Sequence, residues 1–136
     1  MSNYSLKYQP DKIPITEHLT RGEIECHCGC GKGLKDNDFK IHVAQAFEQI
    51  RQRIGKPLAV SSGCRCESWN ELQGGTDHSQ HLLCNALDLI CPSSIDYEKF
   101  YQICVSVIGD GGGVGYYPDK NFVHIDLRGW KARWNG

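Results

Sequence analysis

The sequence predicts an α+β fold in which a small, mostly antiparallel sheet carries helices on one side. Two segments repeat apolar residues every three or four positions, which is the period of an amphipathic helix. Short apolar runs bounded by glycine, proline and asparagine have the pattern of strands joined by turns. A chain of 136 residues without an internal repeat or linker fits one domain, residues 1–136.

The first helix is predicted from five apolar residues spaced three or four positions apart. These residues are Phe39, Val43, Phe47, Ile50 and Ile54. We expect Asp36, Asn37 or Asp38 to cap the start of this helix and Gly55 to end it. Residues 1–17 are polar and contain two prolines, which predicts an irregular N-terminal arm.

The other elements follow from shorter patterns. Residues 58–62 predict a strand that ends at Gly63, and the polar residues 64–77 predict a long loop or a short helix with a turn. Residues 86–90 predict a second strand.

The C-terminal part is predicted to add a helix and a hairpin. Apolar residues recur with helical spacing over residues 94–108. Residues 114–117 and 122–127 then form two apolar runs joined by a tight connection, which is typical of a β-hairpin.

Composition excludes several classes of function. Hydrophobic residues make up 40% and charged residues 23%, as in ordinary soluble globular proteins. The formal net charge of −1 produces no strong field for nucleic acid or an anionic membrane, and no apolar run is long enough for membrane insertion. Residues 1–7 lack the apolar core of a signal peptide, so we expect synthesis in a cytoplasm. We also expect the protein to be a monomer.

The eight cysteines leave several interpretations open. Without a signal peptide, reduced thiols or a metal cluster are better defaults than a disulfide framework. The segment 26–30 holds three cysteines and a histidine, and Cys64 and Cys66 lie further along the chain. Free thiols, a disulfide between the two clusters, or a metal held by Cys26, Cys28, Cys30 and Cys66 are all compatible with this spacing. Cys91 and Cys104 have apolar neighbours and are predicted to lie in the core.

Four polar residues stand beside or within apolar runs that otherwise resemble core strands. They are His81, Asp88, His124 and Asp126. A buried carboxylate destabilises the fold unless a partner or a metal compensates its charge. Two histidines and one carboxylate with an open fourth position form a hydrolytic zinc set.

The spacing of His124 and Asp126 adds a second feature. Residues two apart in a strand share one face of the sheet. One of the pair can therefore bind a metal while the other, acting as general base, reaches a water or a substrate. His78 is a second-ranked alternative ligand, because no strand fixes its position.

These residues also carry a resemblance to a known family. The segment from Ser79 to Asp88, with His81 and Ala86, resembles the S-x-H-x-x-G-x-A-x-D motif of the M15 metallopeptidases, the zinc D-Ala-D-Ala peptidases. Their fold is shared with the hedgehog signalling domain. The likeness to the short phage and bacterial branch of that family extends over about residues 18–130, through Glu23, residues 26–31, 55–57, 61–66, Asn70, Gly74, Gly75 and 122–129.

The resemblance implies roles for individual residues. It implies zinc held by His81, Asp88 and His124, and Arg65 as a catalytic and substrate-binding residue that pairs with a peptide carboxylate. Ser79 is implied either to hydrogen-bond the substrate or to orient its loop.

Two positions depart from the family motif. Cys84 replaces the motif glycine, so the turn must tolerate a Cβ, and its thiol is a possible added ligand. Asn121 stands where other branches carry an acidic base, which leaves Asp126 as the candidate base. In an alternative assignment Asp126 is the ligand and His124 moves the proton.

The expected function is zinc-dependent hydrolysis of peptidoglycan stem peptides at a bond involving a D-amino acid. Both a D,D-carboxypeptidase and an endopeptidase of the phage endolysin type fit the sequence, and either would act on the bacterial cell wall after delivery by a phage or its host. The alternatives are a non-catalytic zinc-containing binding module of the hedgehog type and a structural protein stapled by disulfides. A base at Asp126 is needed by the enzyme and not by the binding module.

Overall fold

The computed structural model describes residues 9–136. Its helices are α1 (Arg21–Ile24), α2 (Ile41–Ile54), α3 (Glu67–Leu72) and α4 (Tyr97–Ile108). Its strands are β1 (Pro14–Thr16), β2 (Leu19–Thr20), β3 (Val60–Ser62), β4 (Ala86–Ile90), β5 (Gly113–Tyr117), β6 (Phe122–Asp126) and β7 (Ala132–Asn135). Short 3-10 turns at Gln80–Leu83 and Pro118–Lys120 precede β4 and β6.

The strands form two sheets. β1 and β2 make a small antiparallel pair, and the main sheet has the order β3-β4-β6-β5-β7. Neighbouring strands of the main sheet are antiparallel except β5 and β7, which run parallel. The predicted α+β fold with a small, mostly antiparallel sheet is therefore confirmed.

Several predicted elements agree with the structure. β4 covers residues 86–90 as predicted, and β5 and β6 form the expected hairpin. Helix α2 ends at Gly55, whose left-handed φ of 66° closes the last turn. Within residues 64–77, α3 is the short helix that was one of the two expected forms.

The ends of the two long helices differ from the sequence prediction. Helix α2 begins after Lys40 without a side-chain cap, and Asp38 instead accepts hydrogen bonds from the backbone N–H groups of Gly33 and Lys35. The carboxylate thus stabilises the preceding loop rather than the helix. Helix α4 begins after Asp96, whose side chain accepts the N–H of Lys99.

Three strands, β1, β2 and β7, lie where none was predicted. Residues 14–16, assigned from the sequence to an irregular arm, form β1, while residues 1–8 of that arm lie outside the described part. At the other end, β7 pairs with β5 across a long sequence separation. A strand of four residues is too short for its alternation to stand out from the surrounding loop, so it was not predicted.

The two faces of the main sheet differ in chemistry. Leu87 and Leu89 of β4 and Ile125 of β6 belong to a buried core that also contains Phe47 of α2 and Phe100 of α4. Because side chains alternate along a strand, the residues between them point to the opposite face. Asp88, His124 and Asp126 are these alternate residues, so they share the face away from the apolar core.

The cysteines divide into a disulfide pair, a buried pair and a cluster of four, Cys26, Cys28, Cys30 and Cys66. Cys64 and Cys84 form a disulfide, so the added-ligand hypothesis for Cys84 is wrong, and so is the default of free thiols for this pair. The partner of Cys64 comes from the turn before β4 and not from the cysteines of residues 26–30. Cys91 and Cys104 are buried as predicted.

None of the helices within residues 9–136 is long and apolar enough to cross a membrane.

Candidate active site

Three donor atoms converge on one face of the main sheet. Asp88 on β4 lies directly opposite His124 on β6, and His81 is in the turn that precedes β4. Asp88 Oδ1 lies 3.2 Å from His81 Nε2 and 3.1 Å from His124 Nδ1. All three residues are buried, and the three donor atoms lie within 4.8 Å of one another.

The outer nitrogen of each imidazole has a fixed acceptor. His81 Nδ1 donates to the carbonyl oxygen of Gly63 at 2.6 Å, and His124 Nε2 donates to Asp126 Oδ2 at 2.7 Å. A carbonyl or carboxylate behind the ring is the usual partner of a metal-bound histidine. In the neutral rings the lone pairs of the inner nitrogens therefore face Asp88.

Asp126 lies behind His124 and is fully buried. Arg128 holds it with two parallel hydrogen bonds, from Nε to Oδ1 at 2.9 Å and from Nη2 to Oδ2 at 2.7 Å. The backbone N–H of Gly113 also donates to Oδ1 at 2.9 Å. Both carboxylate oxygens are thus occupied, and Asp126 contacts the three donors only through His124.

Charge and burial act in opposite directions on these groups. Burial raises the pKa of Asp88, but the charge of His81 and hydrogen bonds from both histidines keep that pKa well below its usual range. Burial likewise raises the pKa of Asp126, and hydrogen bonds from Arg128 and His124 outweigh it and lower the pKa. Burial lowers the pKa of His124, whereas hydrogen bonds to Asp126 and Asp88 raise it above normal. A cation bound between Asp88 and the histidines would supply positive charge beside this buried carboxylate.

Two glycines of β5 make room for this arrangement. A Cβ at Gly113 would lie 2.7 Å from Asp126 Oδ2 and 2.9 Å from Arg128 Nη2. A Cβ at Gly115 would lie 2.8 Å from Trp134 Nε1. The absence of these side chains lets Trp134 of β7 lie across the sheet, with its ring 5.0 Å from His124 and from the Arg128 guanidinium carbon.

The turn that carries His81 is held at both ends. Ser79 Oγ accepts the backbone N–H of His81 at 3.2 Å, which corresponds to the loop-orienting alternative for this residue. Cys84 ends the turn with a left-handed φ of 53°, the conformation that the motif glycine would adopt easily. The disulfide to Cys64 anchors this less favourable residue.

Arg65 lies at the edge of the donor set. Its Nη2 is 3.5 Å from Asp88 Oδ2, and its other donors reach Ser62 Oγ at 3.1 Å and Asn70 Oδ1 at 3.2 Å. These partners orient the guanidinium toward Asp88 and hold it beside the three donors.

The donors open into a cavity of about 510 Å³. Its lining includes His81, Asp88 and His124 together with Arg65 and Ser79, and Asp126 is not part of it. The wall also carries three basic side chains, His78, Lys120 and Arg128, and the aromatic rings of Tyr117, Phe122 and Trp134. The mouth is therefore positively charged at neutral pH.

Comparison with known proteins places the chain in a family. A family model described as Peptidase M15 matches residues 17–126, which include every residue of the site described above except Arg128 and Trp134. The chain belongs to the M15 peptidase family. A comparison with curated proteins found no match to it.

The donor set of this M15 peptidase fits a zinc ion. M15 peptidases are zinc-dependent, and two imidazoles with one carboxylate are a common zinc ligand set that leaves one position open. Ligand bonds of about 2.0–2.2 Å are compatible with three donors lying within 4.8 Å of one another. The fixed outer nitrogens of both histidines agree with this fit.

The site of this M15 peptidase contains residues that the sequence indicated and supporting residues that it did not. The structure brings His81, Asp88 and His124 together, with Arg65 and Ser79 on the same cavity and His78 on its exposed wall. The carbonyl of Gly63 and the ring of Trp134 carried no sequence signal. Arg128 did carry one, because it stands two residues after a carboxylate that needs a cation.

Proposed function

We propose that this M15 peptidase is a zinc enzyme that hydrolyses peptidoglycan stem peptides at a bond involving a D-amino acid. The observation that carries the proposal is the convergence of His81, Asp88 and His124 on an open cavity in a chain of this family. The resemblance of residues 79–88 to the D-Ala-D-Ala peptidase motif supports the substrate class. We further propose that the protein acts as a monomer on the bacterial cell wall, reached through phage or host delivery.

His81, Asp88 and His124 would hold the zinc ion. Bound zinc lowers the pKa of a water to about 7 and polarises a carbonyl oxygen. The two imidazoles stay in the required tautomer because Gly63 O and Asp126 accept their outer N–H groups. The two imidazole rings therefore already have the orientation that metal binding requires before a peptide binds.

Arg65 is the residue that we assign to the substrate. A guanidinium pairs with a carboxylate through two parallel hydrogen bonds, which suits the C-terminal carboxylate of a stem peptide. Lys120 and Arg128 add positive charge to the same cavity wall. This charge favours a carboxypeptidase that binds a terminal D-Ala, although an endopeptidase would use the same donors.

Two roles can be considered for Asp126. It either accepts a proton during the reaction as the general base, or it holds His124 in position. Acting as base, as the sequence suggested, it would have to leave Arg128 before it could reach a water or a substrate. Acting through His124, it orients the ring and stabilises positive charge on it without moving. The occupied oxygens and lowered pKa of Asp126 favour the positioning role, which we adopt.

Hydrolysis of purified peptidoglycan tests the proposed function. The chelator-stripped protein is expected to be inactive and to regain activity when zinc is added, whereas His81→Ala protein stays inactive. Released free D-alanine would identify a carboxypeptidase, and conversion of cross-linked to single stem peptides would identify an endopeptidase. If the zinc-loaded protein binds peptidoglycan without releasing either product, the chain is a binding module and the proposal is wrong.

The Asp126→Asn variant separates the two roles of that residue. If Asp126 positions His124, zinc affinity or activity falls by about 10–100-fold and the remaining activity keeps the acidic limb of its pH profile. If Asp126 is the base, the variant retains zinc but loses that limb together with nearly all activity. Zinc content and kcat/KM against pH, measured on the same preparations, distinguish these results.

A further inference from the structure

Four cysteine sulfurs meet at a second place in the molecule, outside the peptidase cavity. Cys26, Cys28 and Cys30 lie in the loop that follows α1, and Cys66 immediately precedes α3. Their four sulfur atoms lie within 4.8 Å of one another. Cys28 Sγ is 3.5 Å from both Cys26 Sγ and Cys66 Sγ.

These distances fit a single tetrahedral ion. Zinc–sulfur bonds of 2.3 Å place the sulfurs of a tetrahedron about 3.8 Å apart. A disulfide needs sulfurs at about 2.05 Å, which is much shorter than either measured contact. The inorganic core of a multi-iron cluster would separate its cysteine sulfurs further than one ion does, so the set is too compact for such a cluster.

The backbone around the sulfurs also fits a thiolate site. The N–H of Cys66 donates to Cys26 Sγ, and the N–H of Trp69 donates to Cys66 Sγ, both at 3.4 Å. Such donors stabilise negative charge on sulfur. The loop turns back on itself through a hydrogen bond from the N–H of Cys26 to the Lys32 carbonyl, which brings its three cysteines to one side.

We propose that Cys26, Cys28, Cys30 and Cys66 bind a structural zinc ion, separate from the ion of the peptidase site. Four thiolates in tetrahedral positions select zinc among the common divalent ions. All four positions are filled by protein, so the ion has no open site for water or substrate. Each thiol releases its proton when zinc binds, and no cysteine changes its oxidation state.

The location of this ion gives it a role in the peptidase site. Cys66 directly follows Arg65, and Cys64 on its other side is held by the disulfide to Cys84. Lys32, from the same cysteine loop, donates to the carbonyls of Arg65 at 3.0 Å and Leu82 at 2.6 Å. The proposed zinc therefore fixes the backbone of Arg65 and supports the turn that carries His81.

Zinc content of the full chain tests the proposal directly. Wild type is expected to bind two zinc ions, and the Cys28→Ser/Cys30→Ser variant one. A variant with both His81→Ala and His124→Ala should keep one zinc, and its X-ray absorption spectrum should show only sulfur ligands at about 2.3 Å. The matched control, Cys91→Ser, alters a buried cysteine outside the cluster and should keep both ions.

A count of thiols on the wild-type protein provides a test that needs no variant to fold. Unfolded in chelator without reductant, the protein should expose six thiols, because only Cys64 and Cys84 are paired. Fewer than six would mean that the clustered cysteines form disulfides, and the proposal would fail. It would fail equally if wild type bound one zinc and the double histidine variant bound none.

Discussion

His124 is held from several directions, by one fellow donor and by two residues that play no part in binding a metal. Asp88 faces its inner nitrogen, Asp126 accepts from its outer nitrogen, and Trp134 lies against its ring. Only the first of these contacts would change if a zinc ion were bound. The position of this ligand is therefore set mainly by the side chains behind and beside it.

The pair between Arg128 and Asp126 gives a prediction for stability. Replacing Arg128 with Met leaves a fully buried carboxylate without its cation, so we expect the free energy of unfolding to fall by about 3 kcal/mol. Arg128→Lys keeps the charge but loses the parallel hydrogen bonds, and we expect a loss of about 1–2 kcal/mol. Urea unfolding of chelator-treated protein measures both changes without a contribution from bound metal.

The control for this series is Lys131→Met. Lys131 is exposed and its Nζ lies 4.0 Å from Asp110 Oδ1, so its loss should change the stability little. Equal unfolding midpoints for wild type and Arg128→Met would show that the buried pair contributes no stability.

The small hairpin of β1 and β2 packs on the core through Leu19, and its polar attachment to α2 runs through one side chain. Glu48 of α2 accepts hydrogen bonds from Thr16 Oγ1 at 2.7 Å and from the backbone N–H of His18 at 2.6 Å. His18 Nδ1 lies 2.9 Å from its other oxygen. Glu48 thus joins a weak two-stranded element to the longest helix of the described residues.

Glu48→Gln is expected to lower the free energy of unfolding by about 1–2 kcal/mol at neutral pH. Burial raises the pKa of Glu48, but hydrogen bonds from His18 and Thr16 outweigh it and lower the pKa in the folded protein. The stabilisation is therefore complete above the ordinary glutamate pKa of about 4.3, and it is lost as the pH falls through the lowered folded value. Urea unfolding of both proteins between neutral pH and pH 3 measures this difference.

The exposed Glu71 of α3 provides the control, because Glu71→Gln removes the same charge from a solvated position. If the difference between wild type and Glu48→Gln stays constant down to the lowest pH, the carboxylate does not carry the attachment.

Elements with strong local patterns were predictable from the sequence, and those defined by distant contacts were not. β4 and the hairpin were predicted because apolar residues alternate with Asp88 and His124 between clear turn signals. β7 was missed because its pairing with β5 depends on Trp134 fitting over Gly115, which no local pattern records. The disulfide between Cys64 and Cys84 was not predicted because it also depends on a contact between residues distant in the sequence.

At the scale of the whole molecule, the main sheet divides its two faces between stability and chemistry. Leu87, Leu89 and Ile125 bury one face against the core, while Asp88 and His124 alternate with them on the other. A shift of one residue in the register of β4 against β6 would exchange these faces. The core that fixes the register therefore also aligns the two strand-borne donors, whose position within apolar runs was the sequence signal for a site.

Zinc binding should stabilise the protein through two separate sites. In the Cys28→Ser/Cys30→Ser background only His81, Asp88 and His124 remain, and added zinc should still stabilise the protein by about 2.7 kcal/mol at about one hundred times Kd. His124→Ala in that background should abolish the effect, and magnesium, which prefers oxygen ligands, should not replace zinc. Thermal unfolding of chelator-stripped proteins with and without each metal measures these effects. A zinc response in wild type that is retained in full after His124→Ala and lost after Cys28→Ser/Cys30→Ser would place all the zinc at the cysteines and would contradict the proposed peptidase site.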